Sequence, residues 1–215
     1  MSVAYRAMGL WRNPFGELSA QSRSELFVER ETLPDPAEVR EWLDLPGRVV
    51  QIRGRSGRGK SSFLHALRAI DPEIPYVYVA RGTRPEIPRA RLVIIDELWR
   101  LSWRIPQLWR RAGASYLVAS HWDHRLSARI GGLDCRSYRV HGLSEVELGA
   151  YVDARILAQC RPEVDPSGLR RPSIERLRHL LVTYGDDLRA IEGVLFDDYE
   201  RWRRETRGET WDAQG

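Results

Sequence analysis

Short apolar runs rich in β-branched residues recur along the first two thirds of the chain and predict strands. Each run spans a few residues and is bounded by glycine, proline or charged side chains, which favour turns. The predicted strands are Val49–Ile52, Pro75–Ala80, Leu92–Ile95, Tyr116–Ser120 and Ser137–Val140. Because helical patterns flank several of these runs, the sequence predicts an α/β fold with a buried parallel sheet.

Beyond Ser144 the apolar residues recur at helical spacing instead. Ser144 and Glu147 form a capping box that predicts the start of a helix. The predicted helices are Pro36–Leu43, Ser144–Gln159, Ser173–Tyr184 and Asp187–Arg204. The chain therefore divides into a lead-in (residues 1–47), a sheet-forming core (48–142) and a small helical unit (143–215).

A phosphate-binding loop is predicted between the first strand and the helix that follows it. From Gly54 to Ser61 the spacing is G-x-x-x-x-G-K-S, the Walker A pattern, whose backbone N–H groups converge on phosphate oxygens. Lys60 is predicted to reach the β- and γ-phosphates, and the Ser61 hydroxyl to join the shell of a Mg²⁺ ion. The predicted ATP-binding residues are Gly54, Arg55, Ser56, Gly57, Arg58, Gly59, Lys60, Ser61 and Ser62.

The choice of lysine at position 60 strengthens this interpretation. The chain has 34 basic residues, and all of them except Lys60 are arginine. A compact ammonium fits between phosphates as a point charge, where a planar guanidinium does not. The one lysine therefore indicates a geometric requirement at this position.

A second half of the same site, the Walker B motif, is predicted where the run Leu92–Ile95 ends in two adjacent carboxylates. Asp96 is predicted to hold Mg²⁺ together with Ser61, and Glu97 to orient and deprotonate the attacking water. Both roles require the carboxylates to lie at the carboxyl edge of a parallel sheet.

The connection between the second and third predicted strands is short. Residues 81–91 scarcely suffice for a crossover that contains a helix. They include Arg81, Arg84, Arg89 and Arg91 but only one carboxylate, Glu86. The sequence therefore predicts a sheet core that is trimmed between the second and third strands: a basic loop connects them, and no helix lies between them.

Composition excludes several classes of protein. The apolar runs are far shorter than a membrane span, and residues 1–20 lack the layout of a signal peptide, so a cytoplasmic protein without a membrane partner is expected. Cys135 and Cys160 lack metal-binding spacing and are expected to be reduced thiols. Residues 48–185 are strongly basic and both ends are acidic, which favours phosphate-bearing partners, nucleotide first and nucleic acid second.

The order of these motifs resembles that of AAA+ ATPases. The turn Asn13–Gly16, the V-E-R-E stretch at Val28–Glu31, a helix and then Walker A resemble the N-terminal approach of the bacterial transposition-helper and secretion types. In that family this stretch covers the adenine, which implies that Phe15 or the Val28–Arg30 segment lies beside the base. The resemblance implies a five-stranded P-loop sheet with helices on both faces and a C-terminal helical lid.

The resemblance also implies roles near the γ-phosphate. The polar residue that ends the fourth strand, known as sensor 1, matches Ser120, with His121 as the alternative. The stretch Gly185–Arg189 resembles the start of the last lid helix, which makes Arg189 the sensor 2 arginine, although the spacing is one residue longer than usual.

An arginine finger is implied as well. The segment Leu126–Ile130 resembles the arginine-bearing segment of the origin-recognition branch, in which an arginine reaches the γ-phosphate of a neighbouring subunit. Arg129 matches best, and Arg125 and Arg136 are rivals.

The expected activity is hydrolysis of ATP with Mg²⁺, in a homo-oligomer that forms on ATP binding and acts on a DNA or protein partner. One alternative is a nucleotide-gated switch or adaptor with little turnover. A second alternative is a P-loop kinase of small metabolites, which shares Walker A but not the Asp96–Glu97 pair followed by a sensor-like strand and a helical lid.

Overall fold

The structure is a computed structural model that describes residues 3–17, 32–185 and 187–206. The chain forms two compact units, one from a single continuous stretch of sequence and one from two separate stretches. The sheet unit consists of residues 20–141, and the helical unit combines residues 1–19 with residues 142–215. The two units meet after residue 141. The first 19 residues, in contrast, group with the C-terminal helices and not with the sheet.

The sheet has five parallel strands, as the sequence predicts. They are β1 (Arg48–Arg53), β2 (Tyr76–Tyr78), β3 (Leu92–Asp96), β4 (Ser115–Ser120) and β5 (Asp134–Arg139). The strand order is β2-β3-β4-β1-β5. Every residue of β3 and β4 is buried, which explains their continuous apolar runs. As a result, the strands that precede the two nucleotide motifs, β1 and β3, lie on either side of β4.

Helices cover both faces of the sheet. Across both units, the helices of the described residues are α1 (Val3–Ala7), α2 (Pro36–Trp42), α3 (Lys60–Ile70), α4 (Ile105–Trp109), α5 (Arg125–Ile130), α6 (Glu145–Leu157), α7 (Ile174–Tyr184) and α8 (Leu188–Thr206), with 3₁₀ turns at Leu98–Arg104 and Pro166–Gly168. Residues of α2 and α3 pack on one face, and the 3₁₀ turn after β3, α4 and α5 pack on the other. None of these helices has the length and apolar character needed to cross a membrane.

The connection from β2 to β3 contains no helix, which confirms the trimmed core. This crossover, residues 79–91, is instead held by a buried side chain and by arginines. Ile87 is 4% exposed and packs among the residues of the 3₁₀ turn and α4. Backbone carbonyls of the crossover accept hydrogen bonds from three later arginines: Arg100 to Val79 O (2.9 Å), Arg104 to Pro85 O (3.4 Å) and Arg111 to Ile87 O (2.9 Å) and Pro88 O (3.2 Å). These donors replace those that a helix would have supplied internally.

The segment after β3 differs from the helical spacing that the sequence indicates. Trp99 and Trp103 are four residues apart, a spacing that predicts one shared helix face, but the chain forms a 3₁₀ turn with a break at Ser102 (φ 46°, ψ −118°). Trp103 is consequently 63% exposed, whereas Trp99 contacts the end of the neighbouring strand.

The helical unit encloses the N-terminal turn. Ser144 and Glu147 form the predicted capping box at the start of α6. The Phe15 ring is 6% exposed and lies 5.5 Å from the Tyr199 ring of α8. Arg155 of α6 donates to the carbonyls of Pro14 (2.6 Å) and Gly16 (2.8 Å). This packing explains why the first residues join the C-terminal helices. The Val28–Arg30 segment, the other predicted adenine contact, lies outside the described residues.

Candidate active site

The loop after β1 needs glycine for its path. The Gly54 N–H donates to the Ser120 carbonyl (3.2 Å), so the loop begins against the end of β4. A Cβ on Gly54 would lie 3.0 Å from the Val140 carbonyl oxygen, on the other side of the loop. Gly57 and Gly59 have φ angles of 79° and 83°, which side chains other than glycine's rarely adopt. The local sequence therefore encodes a tight turn over the carboxyl edge of the sheet.

Lys60 lies beneath this turn, at the start of α3. It is 5% exposed, and its Nζ donates to the carbonyls of Gly54 (3.0 Å) and Arg55 (2.9 Å). Ser61 and Ser62 follow in the first turn of the helix and are partly exposed. The positive end of an 11-residue helix, its first backbone N–H groups and a buried ammonium thus converge on one place.

Asp96 has one buried oxygen that lacks a partner. The side chain is 2% exposed, and its Oδ2 accepts a hydrogen bond from the Tyr76 hydroxyl (2.8 Å). Its Oδ1 is buried and has no hydrogen-bond partner among the described residues. Leaving a carboxylate oxygen unpaired in a protein interior costs free energy, so such an atom indicates a ligand.

The donor set at Asp96 fits Mg²⁺. This cation takes one or two protein oxygens and completes its shell with water and substrate phosphates. The described part of the chain contains no cluster of three or more His, Cys, Asp or Glu side chains that could hold a metal by themselves. Asp96 and the Ser61 hydroxyl, next to a phosphate loop, are the kind of pair that Mg²⁺ uses together with a nucleotide.

Tyr76→Phe is expected to destabilise the fold, because it removes the only neutral donor that contacts the Asp96 carboxylate in the described residues. A hydrogen bond to a charged group contributes about 1.5–3 kcal/mol, so we expect a loss of that order in the free energy of unfolding by urea at pH 7. The matched control is Tyr78→Phe in the same strand, whose ring is 54% exposed. Equal losses in the two variants would show that the Tyr76 hydroxyl does not support Asp96.

Glu97 has an unusual backbone conformation and several partners. Its φ and ψ angles, 62° and 39°, lie in the left-handed region, which costs free energy for a residue other than glycine. Its Oε2 accepts from the Trp99 indole N–H (2.8 Å) and lies 3.1 Å from the Arg100 guanidinium. The side chain leaves the strand directly after Asp96, so the two carboxylates face different surroundings.

Ser120 and His121 have different environments at the end of β4. The Ser120 side chain is fully buried, and its Oγ accepts from the Trp122 N–H (3.1 Å) and lies 3.0 Å from His124 Nε2. His121 Nε2 lies 3.7 Å from Glu97 Oε2. Burial, then the charge of Lys60, lowers the pKa of His121 below its usual value, although Glu97 opposes this shift. His121 thus lies close to Glu97, the predicted general base. The Ser120 hydroxyl instead takes part in the hydrogen bonds of its own loop.

The three candidate finger arginines also differ in their surroundings. Arg125 pairs with Asp123 (2.7 Å), and the Arg136 guanidinium stacks 4.4 Å from the Trp42 ring centre. Arg129 is exposed on α5 and makes no ion pair with any described residue. Arg189, the predicted sensor 2, is exposed in the first turn of α8, in the helical unit.

The sequence did not indicate three residues that contact the two carboxylates: Tyr76, Trp99 and Arg100. Tyr76 begins β2 and lies beside Ile94 in the parallel register, two residues before Asp96 on the neighbouring strand. Its hydroxyl therefore reaches the Asp96 carboxylate diagonally across the two strands. The strand order carries this information, and no local motif does. For Arg100 a signal existed, since it follows Glu97 at a spacing that favours an ion pair in a helical turn.

Comparisons with known proteins agree with this architecture. No protein-family model and no curated protein matches the chain. Among solved structures, the replication initiator DnaA bound to AMPPCP and single-stranded DNA superposes with a TM-score of 0.50, at 17% identity, over 88% of this chain and 70% of that one. A DNA replication initiation factor superposes with a TM-score of 0.51, at 17% identity and with the same coverage, 88% and 70%. At this identity the likeness concerns the fold alone, a five-stranded parallel sheet with helices on both faces and further helices after it.

Proposed function

We propose that this protein is an AAA+ type ATPase that hydrolyses ATP with Mg²⁺ and thereby drives or gates assembly on a partner. The observation that carries the proposal is the buried Asp96 Oδ1, which lacks a partner among the described residues, at the carboxyl end of β3. The phosphate loop with its buried Lys60 follows β1 at the same edge of the sheet. Together they form the two halves of a nucleotide site.

In the proposed reaction a water attacks the γ-phosphorus in line with the bond to the bridging oxygen of the departing ADP. Glu97 takes the proton from this water. His121 Nε2 lies 3.7 Å from Glu97 Oε2 and orients the Glu97 carboxylate. Lys60 neutralises charge on the β- and γ-phosphates. Bound Mg²⁺, held through Ser61 and Asp96, would supply further charge neutralisation on the phosphates.

The remaining assignments are also proposals. The exposed Arg129 would complete the site of a neighbouring copy, and Arg189 would contact the γ-phosphate as sensor 2. Ser120 remains the proposed sensor 1, and its hydroxyl accepts from the Trp122 N–H and lies beside His124 in its own loop. Solved DnaA is bound to AMPPCP and single-stranded DNA, which supports nucleotide as ligand and DNA as partner for this chain. Membership of the transposition-helper or secretion branch remains a proposal from motif order.

One observation favours the alternative of a nucleotide-gated switch with little turnover. The Glu97 Oε2 is held by the Trp99 indole N–H and the Arg100 guanidinium. A carboxylate oxygen that keeps these partners is not free to take a proton from the attacking water. Under this alternative, ATP would bind normally and hydrolysis would be slow.

Glu97→Gln tests which of the two functions holds. We expect the variant to bind ATP and to release phosphate about a hundredfold more slowly than the wild type, since glutamine keeps the shape but cannot accept the proton. Phosphate release without an added acceptor also separates hydrolysis from kinase activity. The matched control is Glu86→Gln in the exposed crossover, which should leave turnover unchanged. An unaltered rate in Glu97→Gln would favour the switch.

A further inference from the structure

A concave groove lies at the amino edge of β3 and β4, opposite to the edge that carries the phosphate loop. Its volume is about 520 Å³, and two segments line it, Pro88–Arg91 and Arg111–Ala114. These segments lead into β3, which begins at Leu92, and β4, which begins at Ser115. Because all strands are parallel, this amino-edge groove and the ATP site lie at opposite ends of the strands.

The lining of the amino-edge groove is basic and otherwise small. Its charged residues are Arg89, Arg91 and Arg111, it contains no carboxylate, and the other positions are proline, alanine and glycine. Arg111 is fixed by its hydrogen bonds to Ile87 O (2.9 Å) and Pro88 O (3.2 Å), and Arg91 by an ion pair with Asp44. Arg89 is exposed and has no ion pair among the described residues. The groove therefore presents one unpaired guanidinium beside two that are already oriented.

We propose that the amino-edge groove binds the phosphodiester backbone of a single nucleic-acid strand. Guanidinium groups bind phosphate oxygens bidentately and lose little conformational freedom when they are held in place beforehand. Because Ala112 has only a methyl group and Gly113 has no side chain, a strand can approach the protein backbone closely there. The groove is concave, which suits one strand; a duplex would present a wide convex surface to it.

The chemistry of the groove favours nucleic acid over an acidic peptide. Peptides are recognised by hydrogen bonds to an open strand edge, by pockets for their side chains or, when they are acidic, by arginine clusters, so an oligoglutamate is the competitor to test. Here the N–H groups of Ala114 and Ser115 already donate to Arg111 O (3.4 Å) and Arg91 O (2.7 Å). The small lining residues form no side-chain pocket. What the groove offers is positive charge in a fixed arrangement, which is the sequence-independent part of nucleic-acid binding.

This inference deepens the proposed function by naming its partner. Binding of the strand to the groove does not depend on the proposed function, and only a coupling between strand binding and ATP binding would rest on it. Binding of a fluorescently labelled oligothymidylate, followed by anisotropy at several salt concentrations, tests it. Arg89→Ala and Ala112→Glu, which puts a carboxylate at an exposed position in the groove, should each weaken binding about tenfold. Arg89→Ala should also lower the slope of log K against log salt by about 0.7.

The matched control is Arg84→Ala, an exposed arginine of the same crossover that does not line the groove. It should bind the oligonucleotide nearly as well as the wild type. The proposal is overturned if the wild type binds no oligonucleotide, if Arg84→Ala weakens binding as much as Arg89→Ala, or if both groove variants bind normally. It is also overturned if an oligoglutamate of equal charge, or a duplex, binds as tightly through the groove.

Lys60→Ala separates this inference from the proposed function. It removes the ATP site and leaves the groove intact, so it should still bind the oligonucleotide in the absence of nucleotide. Absence of ATP hydrolysis in the wild type would refute the proposed function, while the anisotropy measurement would still decide on the groove.

Discussion

Lys60→Ala is expected to lose ATP binding, with an affinity at least about a hundredfold below that of the wild type. Truncating one partner of a buried charge pair costs about 2–5 kcal/mol, and here the phosphates would face the loop without their cation. Lys60 is 5% exposed and its Nζ lies within 3.0 Å of two loop carbonyls, so its charge is held inside the turn. Titration with a fluorescent ATP analogue measures the effect.

Lys60→Arg is the sharper form of the same experiment. We expect nearly the same loss, because a guanidinium is planar and bulkier than an ammonium. The loop begins against β4, where the Gly54 N–H donates to the Ser120 carbonyl (3.2 Å), and Lys60 Nζ already contacts two of its carbonyls. The control is Arg84→Lys, which adds a lysine at an exposed position and should leave ATP affinity unchanged. Normal affinity in Lys60→Arg would mean that the single lysine of the chain reflects no geometric requirement.

Arg129→Ala is expected to leave ATP binding nearly intact and to reduce hydrolysis by about a thousandfold, the size of effect seen when an essential arginine finger is removed. The surface around it supports a contact with a second copy: Leu126 and Ile130, on the same short helix, are 73% and 79% exposed. Arg125→Ala is the matched control, since Arg125 is paired with Asp123. Turnover by the wild type should rise faster than linearly with protein concentration.

A mixing experiment then tests whether the finger acts between subunits. Arg129→Ala has a sound nucleotide site and no finger, and Glu97→Gln has a sound finger and no base. Mixed together, they should recover part of the activity, because each supplies what the other lacks. Linear concentration dependence together with no recovery would show that the protein works as a monomer and that Arg129 is a surface residue.

The sequence predicted the sheet well because two of its strands, β3 and β4, are buried throughout and its motifs are local. The run Leu92–Ile95 reads as a buried strand since every residue of β3 is buried. The tight turn after β1 follows from glycines at fixed spacing, and the capping box at Ser144 is equally local. The short interval from residue 81 to residue 91 correctly predicted a crossover without a helix. In each of these cases a few adjacent residues determine the structure.

The features that the sequence did not reveal depend on contacts between distant residues. The contact of the Tyr76 hydroxyl with Asp96 follows from the strand order. The break at Ser102 overrides the helical spacing of Trp99 and Trp103, while Leu98 and Leu101 enter the core of the sheet unit. Whether Ser120 or His121 serves as sensor 1 depends on the conformation of the loop after β4, which no sequence motif predicts.

Residues 3–17 and the C-terminal helices build one core from the two ends of the described chain. Asn13 donates to the Phe196 carbonyl (3.0 Å), and Phe15 packs with Tyr199. Domains tend to fold in the order in which the ribosome makes them. The sheet unit is continuous and can fold as soon as residue 141 has emerged, whereas Phe15 must wait, without its partners, until α8 has been synthesised. During that interval the aromatic turn is exposed, and a chaperone or a binding partner that recognises apolar segments would have its best access to this protein then.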